Sequence, residues 1–146
     1  MLFVNNWFVL AASAGLCLSV CLAGCSRQMS SQTVAVAQDA LNEAGQLLAD
    51  GDAGGALSKI ESALAGGLDA DQAAQALLVR ARCYAHQGDF EKAAADIEQA
   101  LMGAPDEAMV QLTRGVLEQK QGNSSAAKKH FSAAKRLDPS IVIPSN

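Results

Sequence analysis

The side chains that could carry out chemistry in this sequence are four cysteines and two histidines. Three of the cysteines lie close together near the N terminus, whereas Cys83 stands alone in the remainder. His86 and His130 are far apart and share no metal-binding spacing, and the sequence has no glycine-rich phosphate loop. We therefore expect no enzyme activity, no catalytic residue, no metal and no cofactor. Cys83 is interpreted as a small core residue.

The N-terminal cysteines belong to an apolar segment, residues 1–24, that has no charged side chain. It ends in Leu-Ala-Gly followed by Cys25, which resembles the lipobox of bacterial lipoprotein signal peptides. This resemblance implies cleavage before Cys25 and a diacylglyceryl anchor on its thiol, with acyl chains such as palmitate holding the chain to a membrane. Ser26, in place of aspartate, implies sorting to the outer membrane, facing the periplasm.

One feature departs from that pattern, because no lysine or arginine precedes Arg27. About 20 apolar residues are enough to cross a bilayer, so the alternative is an uncleaved helix that anchors the chain in the inner membrane. In both cases residues 25–36, which begin with a polar run, are predicted to be a short tether.

The composition indicates which elements follow the tether. Half of the residues are apolar but only six are aromatic, so the core must consist mainly of alanine and leucine. Alanine has the best helix propensity, whereas residues that favour strands are scarce here. The charge is uneven: 25–107 has 13 acidic and 5 basic residues, net -8, and 108–146 has 2 acidic and 6 basic, net +4. We predict an all-α domain with a basic end.

The same pattern of small residues returns three times along this region. Gly51, Gly88 and Gly122 are separated by 37 and then 34 residues, each followed by Asp52, Asp89 or Asn123. A glycine can end one helix in the left-handed conformation, and the next side chain can then cap a second helix. Three further columns keep the same offsets: Ala56, Ala93 and Ala127; Ile60, Ile97 and Phe131; Ala63, Ala100 and Ala134.

A period of 34 with small residues in these columns resembles the tetratricopeptide repeat, a helix-turn-helix unit. The resemblance implies an α-solenoid of about three repeats over 37–141, at 37–70, 74–107 and 108–141, followed by a tail at 142–146. The first unit is the most degenerate, with Leu68 where the others have proline and Asp71 to Ala73 extra. The alternative is an alanine-rich bundle whose similarities are coincidental.

The resemblance also implies a concave groove lined by the first helix of each pair. We expect it to hold a peptide with apolar anchors and an acidic group near Arg82, although the leucines could instead pack between helices. The predicted partner-binding residues are Gln75, Leu78, Val79, Arg82, His86, Leu112, Val116 and Gln119. Other groove-lining positions are Gln38, Leu41, Asn42, Gly45, Met109, Thr113 and Lys120.

The basic end is concentrated in Lys128, Lys129, Lys135 and Arg136. These charges either solvate the exposed end of the stack or dock on an acidic protein, an anionic lipid surface or an anionic wall polymer.

The sequence as a whole predicts a lipid-anchored envelope adaptor that binds a peptide or helix of another envelope protein and assists assembly of an envelope complex. The alternative is a structural subunit that oligomerises, or is completed by a partner, through its last repeat. No nucleic acid is expected as a ligand.

Overall fold

The computed structural model describes residues 35–103 and 105–144, and the predicted signal segment, Cys25 and most of the tether lie outside these ranges. The described residues are all-helical and contain no strand. Helix α1 is described over 35–49, followed by α2 (Ala53–Ala65), α3 (Ala70–Gln87), α4 (Phe90–Ala100), α5 (Glu107–Lys120) and α6 (Ser124–Leu137). No helix in this part of the chain combines the length and apolarity needed to span a bilayer.

The three predicted glycine turns join α1 to α2, α3 to α4 and α5 to α6. Gly51, Gly88 and Gly122 have φ angles of 88°, 86° and 85°. A side chain at these positions would be strained because L residues rarely adopt the left-handed region. The glycine column therefore sets where each helix pair reverses direction.

The predicted caps after these glycines form in only one of three turns. The Asp52 side chain accepts a hydrogen bond from the Gly55 backbone N–H at 2.8 Å, as expected. Asp89 and Asn123 make no side-chain cap hydrogen bond. Asp89 instead accepts from Lys92 Nζ at 2.9 Å, and Asn123 donates to Glu118 Oε2 at 2.8 Å. The prediction was wrong at these two positions because a charged or amide partner competes for each side chain.

The extra residues between the first two units are absorbed by α3. Asp69 caps this helix, accepting from the Gln72 backbone N–H at 2.8 Å, so that α3 begins before the repeat pattern does. As a result α3 has 18 residues, whereas α5, its counterpart in the next unit, has 14. The insertion lengthens one helix and leaves the turn at Gly88 unchanged.

The core consists of apolar clusters shared between successive helix pairs. The first joins α1 and α2 to one side of α3, through Ala76, Val79 and Cys83. The second joins the other side of α3, including Leu77 and Ala81, to α4 and α5. Because α3 is buried on both sides by different neighbours, the arrangement is a solenoid in which no pair covers its own apolar surface.

Small residues at the helix crossings allow this close packing. A Cβ atom built on Gly115 would lie 2.5 Å from ring carbons of Phe131, closer than any real contact. Ala81 and Ala44, at the same position in the other units, are both fully buried. The column selects small residues because the second helix of each pair lies directly against the first.

The C-terminal segment after α6 closes the last unit without forming a helix. Ile141 is 8% exposed and contacts the cluster of Ala108, Leu112 and Ala134. Ile143 packs beside it, whereas Val142 is exposed. The segment thus covers part of the apolar surface that a further helix would cover in a longer stack.

Candidate partner-binding groove

The first helices of the three pairs line a shared cleft of about 410 Å³. Helix α1 contributes one wall, α3 the floor and the start of α5 the other wall. The lining residues are Gln38, Leu41, Asn42, Gly45, Gln75, Leu78, Val79, Arg82, Asp106 and Met109. Nine of these ten are positions that the repeat pattern predicts to line the groove. Asp106 was missed because it precedes α5, outside the helical positions considered.

The apolar side chains of the groove are part of the core. Leu78 is fully buried, and Val79, Leu112 and Val116 are also buried. Leu78 and Val79 therefore form the packed floor of the cleft, whereas Leu112 and Val116 lie outside its lining, and all four leave little area for a ligand. Thr113, at 1% exposed, is equally enclosed and donates from Oγ1 to the Met109 carbonyl at 2.8 Å.

The accessible side chains at the predicted groove positions are polar, although His86, Gln119 and Lys120 lie outside the lining of the cleft. Gln75 and His86 are exposed on α3, Lys120 is exposed on α5, and Gln119 is half-buried. On α1, the amide of Gln38 donates to Asn42 Oδ1 at 3.3 Å, so that two amides stand side by side at the rim. The groove can offer a peptide amide donors, amide acceptors and cations above an apolar floor.

Arg82 is the buried charge in this cleft. The residue as a whole is half-buried, but its Nε is enclosed and has no hydrogen-bond acceptor among the described residues. No salt bridge joins its guanidinium to a carboxylate in the described ranges. Burial lowers the pKa of Arg82 from its ordinary value, because removal from water disfavours the charged form.

A titratable side chain lies one turn along α3, beside a further positive charge from α5. His86 is on the same helix face as Arg82, and its pKa is lowered by burial first, then by the charges of Lys120 and Arg82. The groove is therefore electropositive at its Arg82 end.

The opposite side of α3 carries a satisfied arginine. Arg80 Nε donates to Asp96 Oδ2 at 2.8 Å and Nη2 donates to Oδ1 at 2.7 Å, a two-pronged pair between α3 and α4. The hydrogen bond that Arg80 donates to Asp96 raises the pKa of Arg80. Tyr84 contacts both this guanidinium, 5.9 Å from its ring centroid, and Lys92 Nζ, at 5.3 Å. The sequence analysis did not find this pair, and only opposite charges 16 residues apart could have indicated it.

The next unit cannot repeat that pair, because His130 occupies the column of Asp96. Arg114, in the column of Arg80, instead reaches back to Glu98 of the preceding unit at 3.3 Å. His130 Nδ1 lies 2.8 Å from Gln111 Oε1. The difference between Asp96 and His130 thus accompanies a change from an ion pair within one unit to an ion pair between two units.

The other residues that could do chemistry are separated. Cys83 is fully buried, and burial raises the pKa of its thiol to about 11, which keeps it protonated. No group of three potential metal ligands occurs in the described part of the chain. The predicted basic residues Lys128, Lys129, Lys135 and Arg136 are all exposed on α6, and Lys135 Nζ donates to the Pro139 carbonyl at 3.1 Å.

Fold and groove together define a helical repeat protein with a surface suited to a peptide. A family model described as tetratricopeptide repeat matches residues 74–106, that is, α3, α4 and the turn that ends the unit. The chain therefore contains a tetratricopeptide repeat, and the fold is a solenoid of that type. Neither the curated proteins nor the solved structures gave a match.

Proposed function

We propose that this chain is a lipid-anchored adaptor of a bacterial envelope that holds a peptide or helix of another envelope protein in the α1–α3–α5 groove. Repeats of this type are protein-interaction scaffolds, typically without catalytic activity, so interaction with a protein is the function that the repeat itself indicates. The cleft lined by three first helices is the observation that carries the proposal.

The anchor is proposed from the sequence before the described residues. Leu-Ala-Gly-Cys ends an uncharged apolar segment, and acylation of Cys25 would place the repeats beside a membrane. We expect Cys25→Ser to abolish metabolic labelling with palmitate. It should also block cleavage before residue 25, which leaves an apolar segment long enough to hold the protein in the membrane. Labelling that survives this change would contradict lipidation at Cys25.

The groove is tested by affinity capture from detergent-solubilised membranes with the full chain as bait. Gln75→Glu and Arg82→Gln change accessible or cleft-facing polar groups, whereas Leu78, which is fully buried, is unsuitable because its truncation would destabilise the bait. Lys92→Gln is the matched control, since it removes one positive charge from an exposed side chain of α4, outside the cleft lining. We expect partners to be lost from the groove variants and retained by the control. Equal recovery from all baits would contradict the groove assignment.

Assembly through the last repeat is the second candidate. Leu137 and Val142, 49% and 80% exposed, leave apolar surface at that end, although Ile141 already covers Ala108, Leu112 and Ala134. Native mass spectrometry separates the two functions. A stable oligomer that Val142→Asp dissociates would favour assembly, and a monomer would favour the adaptor.

A further inference from the structure

Arg82 differs from the other arginines that pack between helices. Arg80 is neutralised by Asp96 and Arg114 by Glu98, so that each guanidinium has a carboxylate from a neighbouring helix. Arg82 lies only two residues from Arg80 on α3, lines a cleft, and has an enclosed Nε without an acceptor among the described residues. An enclosed N–H donor without an acceptor is unfavourable, which makes Arg82 a site that an acceptor from a ligand would satisfy.

The acidic residue nearest to hand in the lining does not fill this role. Asp106 Oδ1 accepts from the Ala108 backbone N–H at 2.8 Å, so that one of its two carboxylate oxygens caps α5. It forms no salt bridge with Arg82, and among the described residues the charges that act on Arg82 and His86 include no carboxylate. An incoming anion would therefore meet an Arg82 guanidinium that no described carboxylate already pairs, with His86 and Lys120 nearby.

The geometry of the guanidinium defines the ligand class. A planar fork of N–H donors matches a carboxylate, and charge-assisted pairs of this kind are about twice as strong as neutral hydrogen bonds. Because the floor around Arg82 is apolar, through Leu78, Val79 and Met109, the carboxylate would be bound in surroundings of low polarity. Gln75 adds an amide on the same helix face.

We infer that Arg82 is the recognition point for an acidic side chain, Asp or Glu, presented by the partner peptide between apolar side chains. This inference rests on the proposed function of the groove and names the chemistry of its ligand. The carboxylate is assigned to a side chain and not to a peptide C terminus, because the lysine and asparagine set used by some repeats of this type to clamp a terminal carboxylate is not found at the matching positions of this sequence.

The test uses the full chain in detergent micelles and libraries of short synthetic peptides. All peptides are amidated at the C terminus, degenerate at most positions, and fixed at one central position as Glu, Gln or Lys between two leucines. A fourth library has Gln at the centre and a free C-terminal carboxylate. The binding of each library is measured by fluorescence anisotropy competition, with wild type, Arg82→Gln, Arg82→Lys and Lys92→Gln.

We expect wild type to bind the Glu library at least about tenfold more tightly than the Gln library, as for a buried charge pair. Arg82→Gln should remove this preference, Arg82→Lys should reduce it because the fork is lost, and Lys92→Gln should keep it. Helical circular dichroism and melting temperature confirm that each variant is folded.

Three results would overturn the inference: equal binding of Glu and Gln peptides by wild type, a Glu preference that persists in Arg82→Gln, or a preference for the free C terminus instead. Each result would be consistent with a peptide site in the groove, but it would show that Arg82 does not recognise an acidic side chain. Failure of every library to bind wild type would contradict the proposed function itself.

Discussion

Two arginines, two residues apart on α3, lie on opposite sides of the helix and have different surroundings. Arg80 faces α4, where Asp96 meets it with two hydrogen bonds and Tyr84 lies against its guanidinium. Arg82 faces the cleft with an enclosed Nε that has no acceptor in the described chain. Neighbouring charges move the pKa of Arg80 up, whereas burial moves that of Arg82 down.

Arg80 therefore stabilises the fold, whereas Arg82 is positioned by the fold without stabilising it. Removing the partner of a buried pair is strongly destabilising, whereas an unpaired buried charge already reduces stability. Binding sites often sacrifice stability in this manner, because groups poised for a ligand are unsatisfied without it. In our account the side of α3 that faces α4 stabilises the solenoid, and its groove side reserves a charge for a partner.

The largest expected effect on stability comes from truncating a buried side chain in the groove floor. Leu78 lines the cleft but is fully buried, so Leu78→Ala should lower the free energy of unfolding by about 3 kcal/mol through lost burial and the cavity left behind. Gln75→Ala, one turn earlier and exposed, should change it by less than about 0.5 kcal/mol. Urea unfolding followed by circular dichroism measures both. A tolerated Leu78→Ala would mean that the floor is open to solvent.

The next largest effect comes from removing the ion pair between α3 and α4. Arg80→Met leaves Asp96, whose side chain is 7% exposed, as a buried carboxylate without its partner. We expect a loss of about 2 kcal/mol in unfolding free energy, below the usual range for a broken buried pair because Arg80 itself is partly exposed. Arg114→Met is the control, since Glu98 is 71% exposed, and should cost no more than about 0.5 kcal/mol. Similar losses from both variants would show that burial of Asp96 does not matter.

A smaller effect is expected in the pH dependence of peptide binding to the groove side of α3. The pKa of His86 is lowered by burial, by Lys120 from α5 and by Arg82 on its own helix, so the imidazole is neutral at pH 7. A carboxylate bound at Arg82 would favour the protonated imidazole and raise this pKa, so that binding takes up protons. That gain in affinity is present below the pKa of the free protein and lost as pH rises through the pKa of the complex.

We therefore expect a Glu-containing peptide to bind a few-fold more tightly as pH falls from about 7.5 to about 5.5, where the ligand carboxylate stays ionised. Anisotropy titrations of wild type and His86→Gln measure the dependence. A pH profile unchanged by the His86 substitution would place the bound charge away from the Arg82 end of the groove.

Much of the fold could be predicted from the sequence because it is written in local, recurring signals. Gly51, Gly88 and Gly122 indicate the reversals, since only glycine readily takes their positive φ. The cap predictions failed at Asp89 and Asn123, where Lys92 and Glu118 compete for the side chain in three dimensions. Competition of this kind depends on rotamers and does not appear in a repeat pattern.

The sequence predicts which side of α3 the site residues occupy, but it does not predict how deeply each of them is buried. Helical spacing assigns Gln75, Leu78 and Arg82 to one side of α3, and the structure places all three in the cleft lining. Spacing does not tell which of them remains accessible, because burial depends on how closely α1 and α5 approach. The Arg80–Asp96 pair is likewise a contact between helices, visible only once the turn at Gly88 has brought them together.

The most direct test of a charge reserved for a partner is the unfolding free energy of Arg82→Met without ligand, compared with wild type in the same detergent. Methionine keeps most of the apolar stem but removes a partly desolvated cation that forms no salt bridge in the described part of the chain. We predict stability unchanged or raised by up to about 1 kcal/mol, opposite in sign to Arg80→Met. A loss comparable to that of Arg80→Met would contradict the account, because it would show that Arg82 is already paired and stabilises the fold.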